Sequence, residues 1–207
     1  MSNKPIIGLI GGMGSGKSAV AAAFKRFGAK IISGDQLGHE ALKQPEIKQQ
    51  VIARWGTQLL DDKGEVQRSR LAAIVFDDPE QRRALESMVF PHIERRFQEE
   101  KAVAEANPDV RLIVLDAAIM LEAGWDQLCD RLVYVHAPRA ERWRRLAEQR
   151  GWNAKEVEVR EQAQLPLTEK ARRAHGAIDN AGSIDALAAQ VERLLRQWQL
   201  LAAPRET

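Results

Sequence analysis

A glycine-rich segment near the start of the chain lies between an apolar run and a segment of helical composition. Residues 6–10 read IIGLI, residues 11–18 read GGMGSGKS, and residues 19–24 read AVAAAF. The middle segment fits the pattern G-x-x-x-x-G-K-[ST], and strand, loop and helix in that order are the setting in which this pattern binds phosphate. The chain is therefore predicted to contain a phosphate-binding loop (P-loop), which requires a buried strand that leads directly into a helix.

The residue types of this loop suit a nucleoside triphosphate. Glycines let backbone N–H groups converge on phosphate oxygens, and the helix N-terminus adds partial positive charge. Lys17 is expected to reach the β- and γ-phosphates, and Ser18 to place its hydroxyl on a bridging Mg²⁺. The alternative is a glycine-rich turn whose lysine is only solvated. The predicted nucleotide-binding residues of the loop are Gly12, Met13, Gly14, Ser15, Gly16, Lys17 and Ser18.

Short apolar runs alternate with segments of helical period along the whole chain, which predicts an α/β fold. The predicted strands are residues 6–10, 29–32, 111–115, 132–135 and 177–178, and a parallel five-stranded sheet flanked by helices accommodates them. An amphipathic helix is predicted over residues 183–198.

Two insertions interrupt this alternation, and we expect a single domain that contains the core and both insertions. The core comprises residues of about 5–35, 110–137 and 176–200, and a helical acceptor lobe spans about 36–108. A second insertion of about 138–175 is rich in Arg and Glu. It is either a lid over phosphates or a set of solvated helices with charges three or four residues apart.

Composition excludes several classes of protein. The chain has 207 residues, 31 Lys plus Arg against 29 Asp plus Glu, and one cysteine, Cys129. A single cysteine gives no disulfide framework, and no apolar run is long enough to predict a membrane segment. The charge balance leaves no broad cationic field, so we expect no nucleic-acid partner. The chain also lacks a secretory pattern at its N-terminus, so the cytoplasm is the expected compartment.

P-loop proteins include switches, motors and kinases of small molecules. No Asn-Lys-x-Asp string is present to read guanine, and Glu141 and Glu148 interrupt the Arg-rich segment that would serve as a basic track. The two insertions stand where an acceptor lobe and a lid would be, which favours a small-molecule kinase that excludes water when it closes.

The succession of motifs resembles the dephospho-coenzyme A kinase family from about residue 6 to residue 195. The segments that carry the resemblance are GLIGGMGSGKSAV, IISGDQLG, GEVQRSRLAAIVFDDPEQRRALESMVFPHI, VLDAAIMLEAGW, REQAQLPLTEK and AIDNAGS. The resemblance implies a fold similar to nucleoside monophosphate kinases and ATP- and Mg²⁺-dependent phosphorylation of the 3′-hydroxyl of dephospho-CoA. This reaction would give CoA and ADP and would be the last step of CoA biosynthesis. The expected partner is this small acceptor, and we expect a monomer or a weak homo-oligomer.

Two aspartates follow predicted strands. Asp35 matches the family's acidic residue after the second strand, which we expect to lie beside the P-loop strand, at the edge where parallel sheets bind ligands. Because a carboxylate is a weak base at neutral pH, Asp35 is predicted to orient the acceptor hydroxyl and to accept its proton late, or else only to cap a helix starting at Gln36. Asp116 either holds a magnesium-bound water or caps a helix.

The resemblance carries four further residues. Arg160 matches an arginine that faces ATP phosphates. Without the resemblance, the charged sequence around Arg160 would indicate a solvated side chain. Arg68 matches a basic position of the acceptor lobe, where the pyrophosphate needs cations. Glu122 matches the family's acidic residue at this position and is expected to bind substrate. Asn180, with Asp179, matches the final motif near the adenine.

The chain departs from the family pattern at several positions. These positions fall more in the segments expected to bind the acceptor than in those expected to bind ATP. A kinase of a nucleotide, shikimate or gluconate is therefore the alternative enzyme, and a nucleotide-binding switch is the non-enzyme alternative. The departures are Ile10, Ser33, Phe90 (with His92 one position late), Ala118-Ile119-Met120 and Ala174-His175.

Overall fold

The computed structural model describes residues 4–75 and 78–201, so Phe76 and Asp77 of the long family segment lie outside the described residues. A five-stranded sheet is formed by β1 (Ile6–Gly11), β2 (Ala29–Ser33), β3 (Leu112–Asp116), β4 (Arg131–His136) and β5 (Gly176–Asp179). All five predicted strands are confirmed.

The order of the strands places β1 in the interior of the sheet. The order is β2-β3-β1-β4-β5, and β1 pairs in parallel with β3 and β4 while β4 pairs in parallel with β5. The expectation that β2 lies beside the P-loop strand is wrong, because β3 returns between them. The carboxyl ends of β3 and β4, not that of β2, therefore flank the end of β1 from which the P-loop begins.

Helices connect these strands. They are α1 (Lys17–Lys25), α2 (Gly34–Ala41), α3 (Pro45–Trp55), α4 (Arg68–Val75), α5 (Pro79–Ala106), α6 (Arg139–Arg150), α7 (Ala154–Gln162), α8 (Leu167–Arg173) and α9 (Ile184–Gln197). Short 3₁₀ helices span Thr57–Leu59 and Trp125–Leu128. None of the helices within the described ranges is both long and apolar enough to cross a bilayer.

The chain forms two compact units. The first comprises Met1–Ile32 and Val103–Thr207 and contains most of the sheet; the second comprises Ser33–Ala102. In the first unit, every residue of β1 is buried, and Phe24 of α1 and Val191 of α9 pack against the sheet. The predicted C-terminal helix is confirmed, and the Oγ of Ser183 accepts a hydrogen bond from Ala186 N to cap it.

The second unit is helical, and its buried apolar residues include Leu37, Val51, Leu71 and Phe97. Pro45 and Pro79 each begin a helix, because proline at the first position loses no helical hydrogen bond. The predicted turn at Asp61–Gly64 is present, and the carboxylate of Asp61 accepts hydrogen bonds from Lys63 N and Glu65 N.

Candidate phosphate-binding site

The loop between β1 and α1 has the backbone that glycine allows. Gly14 and Gly16 have φ of 71° and 82°, in the left-handed region that other residues rarely adopt. A Cβ added to Gly16 would collide with the side chain of Asn180, and one added to Gly14 with the backbone carbonyl of Arg142. The predicted strand, loop and helix are confirmed, and the glycines are required by both conformation and space.

The first turn of α1 presents its amides at the end of this loop. Gly16 is the N-cap residue and, as a glycine, offers the amides no capping side chain. The terminal N–H groups of a helix need acceptors, and an anion supplies them together with favourable dipole interaction. Lys17, the first residue of α1, adds a cation at the same end. The arrangement is suited to the phosphates of a nucleotide.

Oxygen donors meet beside this helix end. The hydroxyl of Ser18 donates a hydrogen bond of 2.9 Å to Oδ2 of Asp116, which is the last residue of β3. Mg²⁺ prefers such oxygen ligands and is usually held by one or two protein groups together with phosphates and water. The two residues fit a magnesium ion. The alternative that Asp116 caps a helix is wrong, because a turn rather than a helix follows it at residues 118–124.

Asn180 lies in contact with the loop rather than at its mouth. Its side chain is 6% exposed, and its Nδ2 donates a hydrogen bond of 2.7 Å to the carbonyl of Ser15. The backbone N of Asn180 donates to His136 O at the end of β4. The structure therefore shows Asn180 supporting the loop, and its contact with adenine stays a prediction.

Two arginines of α6 also contact the loop, and the sequence did not single them out. Arg142 is 4% exposed; its Nη1 donates to Met13 O at 3.2 Å and forms an ion pair with Glu161 of α7. Arg145 donates from Nη1 to Gly14 O and Ser15 O, at 3.4 Å and 3.3 Å. Arg142 is therefore buried and Arg145 half-buried, whereas Arg144 and Glu148 of the same helix are exposed as the solvated-helix alternative predicts. One signal was present, since Arg142 has no acidic residue three or four positions away in its own helix.

The predicted substrate residue Glu122 is engaged within the first unit. Its Oε1 lies 2.9 Å from Nζ of Lys170, whose side chain is 2% exposed, and accepts a hydrogen bond from Leu165 N. Glu122 thereby joins the turn after β3 to the segment before α8. A buried charge pair of this kind fixes the segment in place.

Arg160 packs on an aromatic ring. Its guanidinium carbon lies 4.2 Å from the centre of the Trp152 ring, and that of Arg150 lies 4.9 Å from the same ring. Both Trp152 and Arg160 are half-buried. In this conformation Arg160 also donates a hydrogen bond to Glu156 O within α7.

A cavity of about 390 Å³ adjoins the loop at Gly12. Residues of α6, α7, the segment before α8 and the start of α8 line it, among them Arg139, Glu161, Leu165 and Leu167. Space for a substrate group is therefore present beside the phosphate-binding backbone.

The two predicted acceptor residues lie in the second unit. Asp35 is exposed in the first turn of α2, and the cap of that helix is Ser33, whose Oγ accepts a hydrogen bond from Gln36 N at 3.3 Å. The alternative that Asp35 caps this helix is wrong. Arg68 is the first residue of α4 and is exposed. Partial desolvation, followed by the charges of Arg68 and Lys43, lowers the pKa of His39, which lies one turn after Asp35.

Cys129 is not a nucleophile of this site. Burial, reinforced by the charges of Asp126 and Asp130, raises the pKa of its thiol to about 12. Because thiolate is the reactive form, the side chain is inert at neutral pH.

Comparison with known proteins gives concordant results. The model of the family described as dephospho-CoA kinase matches residues 5–186. A dephospho-CoA kinase of Geobacillus kaustophilus is 33% identical over 196 residues, which cover 94% of this chain and 97% of the relative. A dephospho-CoA kinase of Symbiobacterium thermophilum is 38% identical, and the match covers 92% of this chain and 80% of the relative.

Solved structures give the same fold. The crystal structure of TT1252 from Thermus thermophilus has a TM-score of 0.80 and 34% identity, and the match covers 95% of this chain and 98% of that one. The dephospho-CoA kinase from Campylobacter jejuni has a TM-score of 0.59 at 18% identity, with the same coverage, and supports the fold alone.

Proposed function

The chain belongs to the dephospho-CoA kinase family, and we propose that it transfers the γ-phosphoryl group of ATP to the 3′-hydroxyl of dephospho-CoA, giving CoA and ADP. This is the last step of CoA biosynthesis, and we place it in the cytoplasm. The observation that carries the proposal is the pairing of Ser18 with Asp116 at the end of a glycine loop, in a chain that matches the family over nearly its whole length.

We assign the ATP phosphates to the first unit. The loop amides and the N-terminus of α1 bind the phosphate oxygens, and Lys17 supplies the charge that the β- and γ-phosphates require. Ser18 would hold Mg²⁺ directly and Asp116 would hold it through water. The ion, when bound, neutralises charge that develops on the transferred group. Phosphoryl transfer depends chiefly on such positioning and charge stabilisation.

We assign the acceptor to Asp35 and Arg68. Asp35 follows the carboxyl end of β2, and its carboxylate orients the 3′-hydroxyl and accepts its proton late in the transfer. Arg68, supported by the nearby charge of Lys43, attracts the pyrophosphate of dephospho-CoA. Glu122 contributes to substrate binding by fixing Leu165, which lines the cavity beside Gly12.

Arg160 is proposed to move from Trp152 to the ATP phosphates. A polyphosphate offers the guanidinium charge-assisted hydrogen bonds, which are stronger than a hydrogen bond to a neutral carbonyl such as Glu156 O. The insertion of residues 138–175 would then act as the lid that excludes water.

A panel of acceptors tests the proposal. ADP release is measured with no acceptor, dephospho-CoA, shikimate, gluconate and nucleoside monophosphates, using the full chain with ATP and Mg²⁺. We expect stimulation by dephospho-CoA and not by the others. Stimulation by one of the others, with none by dephospho-CoA, would contradict the proposal and favour the alternative kinase. The variant Lys17→Ala is the control, since it should lose ADP release with every acceptor.

A further inference from the structure

Three consecutive carbonyl groups of the loop accept hydrogen bonds from side chains outside the loop. Met13 O accepts from Arg142, and Gly14 O and Ser15 O both accept from Nη1 of Arg145. Ser15 O also accepts from Nδ2 of Asn180. Donors are therefore concentrated on one side of the loop backbone.

These hydrogen bonds to the carbonyls also orient the N–H groups of the loop. In a trans peptide the carbonyl of one residue and the N–H of the next point in opposite directions. Donors that hold the carbonyls of Met13 and Ser15 toward α6 therefore turn the N–H groups of Gly14 and Gly16 away from it. The same contacts keep partially negative carbonyl oxygens away from the anion that the amides receive.

Arg145 has a second contact that fixes its own position. Its Nη2 donates a hydrogen bond of 2.8 Å to Asn180 O, while Asn180 N donates to His136 O. The planar guanidinium thus spans from the loop to the carboxyl ends of β4 and β5. Such a forked donor matches several acceptors at once, which an ammonium group does not.

We propose that Arg145 is a positioning residue for nucleotide binding. It holds the carbonyl of Ser15 so that the N–H of Gly16 is arranged for phosphate before ATP arrives, and its contacts with Gly14 O and Asn180 O fix its own position. The inference rests on the proposed use of ATP by this loop. Arg145 is a better test than Arg142, because Arg145 is only half-buried and its truncation opens no fully buried site.

The experiment compares Arg145→Ala and Arg145→Lys with the parent chain. Binding of ATP with Mg²⁺ is measured directly by calorimetry, KM is measured for each substrate, and the unfolding midpoint is recorded. Hydrogen bonds from charged donors are lost in Arg145→Ala, so we expect the Kd and KM for ATP to rise about tenfold or more. The KM for dephospho-CoA and the unfolding midpoint should change little. Arg145→Lys keeps the charge without the fork and should recover part of the affinity.

Arg193→Ala is the matched control, since Arg193 is an exposed arginine of α9 and lies outside the insertion proposed as the lid. Its ATP affinity should equal that of the parent. An unchanged ATP Kd in folded Arg145→Ala overturns the inference. So does an equal loss of affinity for both substrates with a lower unfolding midpoint, which would indicate a folding role. The ATP titration is independent of the acceptor, so a failure of the dephospho-CoA assay in the parent would count against the proposed function and not against Arg145.

Discussion

The hydroxyl of Ser18 and the carboxylate of Asp116 are joined by a hydrogen bond of 2.9 Å between the first turn of α1 and the carboxyl end of β3. The contact depends on the sheet order, since β3 pairs with β1 and brings its last residue beside the P-loop. Two oxygen groups from distant parts of the chain thus meet at the position where we propose that magnesium binds.

Removing the negative charge of Asp116 should weaken the binding of magnesium. Asp116→Asn keeps the size of the side chain and removes its negative charge. We expect kcat to fall about a hundredfold and the Mg²⁺ concentration for half-maximal activity to rise. ATP binding without Mg²⁺ should remain. Activity is measured across a Mg²⁺ titration, with Asp109→Asn, an exposed aspartate near the opposite end of β3, as the control. An unchanged magnesium requirement would contradict the role of Asp116.

Removing the carboxylate charge of Asp35 should separate binding from catalysis. In Asp35→Asn we expect turnover with dephospho-CoA to fall by about a hundredfold or more, because the hydroxyl loses its acceptor. ATP affinity, measured by titration, should stay within about twofold. Glu46→Gln, which changes another exposed acidic residue in the first turn of a helix, is the control and should keep turnover. Equal loss of turnover and ATP binding in Asp35→Asn would indicate a folding role.

Breaking the buried pair of Glu122 and Lys170 should destabilise the chain. The side chain of Lys170 is 2% exposed, so Glu122→Ala leaves a buried ammonium that has lost its carboxylate partner and still donates to Gln164 Oε1. We expect a loss of about 3 kcal/mol in the free energy of unfolding, measured with urea. The double variant Glu122→Leu with Lys170→Met removes both charges and should regain most of this stability. A double variant as unstable as the single one would show that the charges themselves are not responsible.

Acidification should destabilise the chain in part through His92. Burial, and then the charges of Arg95 and Arg96, lowers the pKa of His92 below its ordinary value of 6.5, while Glu40 and Glu99 act in the opposite direction. The unfolded state therefore binds the proton first, and stability falls as the pH drops below 6.5. The slope from one such group is at most about 1.4 kcal/mol per pH unit.

Urea unfolding between pH 7.5 and pH 5 measures this dependence. His92→Gln should show a shallower slope over that interval than the parent. A residual slope is expected, because the pKa of His39 is also lowered. If His92→Gln and the parent have the same slope, the assignment to His92 is wrong.

Local patterns predicted the parts of the fold that depend on neighbouring residues. The apolar runs gave all five strands, and the glycine loop was predicted with its flanking strand and helix because its conformation depends on a few consecutive residues. Ser33 followed by Gln36 three positions later is a recognisable N-cap pattern, and it would have shown that Asp35 does not cap α2.

Contacts between distant segments were not predictable in the same way. The spatial order of strands is not written in their sequence order, so β2 was placed wrongly beside β1. Arg142 and Arg145 contact loop residues 129 and 130 positions away, and their helix has the composition of a solvated one. Asp116 was predicted as a candidate for magnesium, but its hydrogen bond to Ser18 required the folded sheet.

The most direct test of the central claim is identification of the phosphorylated product. The full chain is incubated with dephospho-CoA, ATP and Mg²⁺, and the products are analysed by mass spectrometry and ³¹P NMR. The account predicts that dephospho-CoA gains one phosphoryl group at its 3′-oxygen for each ADP released. Release of ADP with inorganic phosphate, and with dephospho-CoA unchanged, would contradict it.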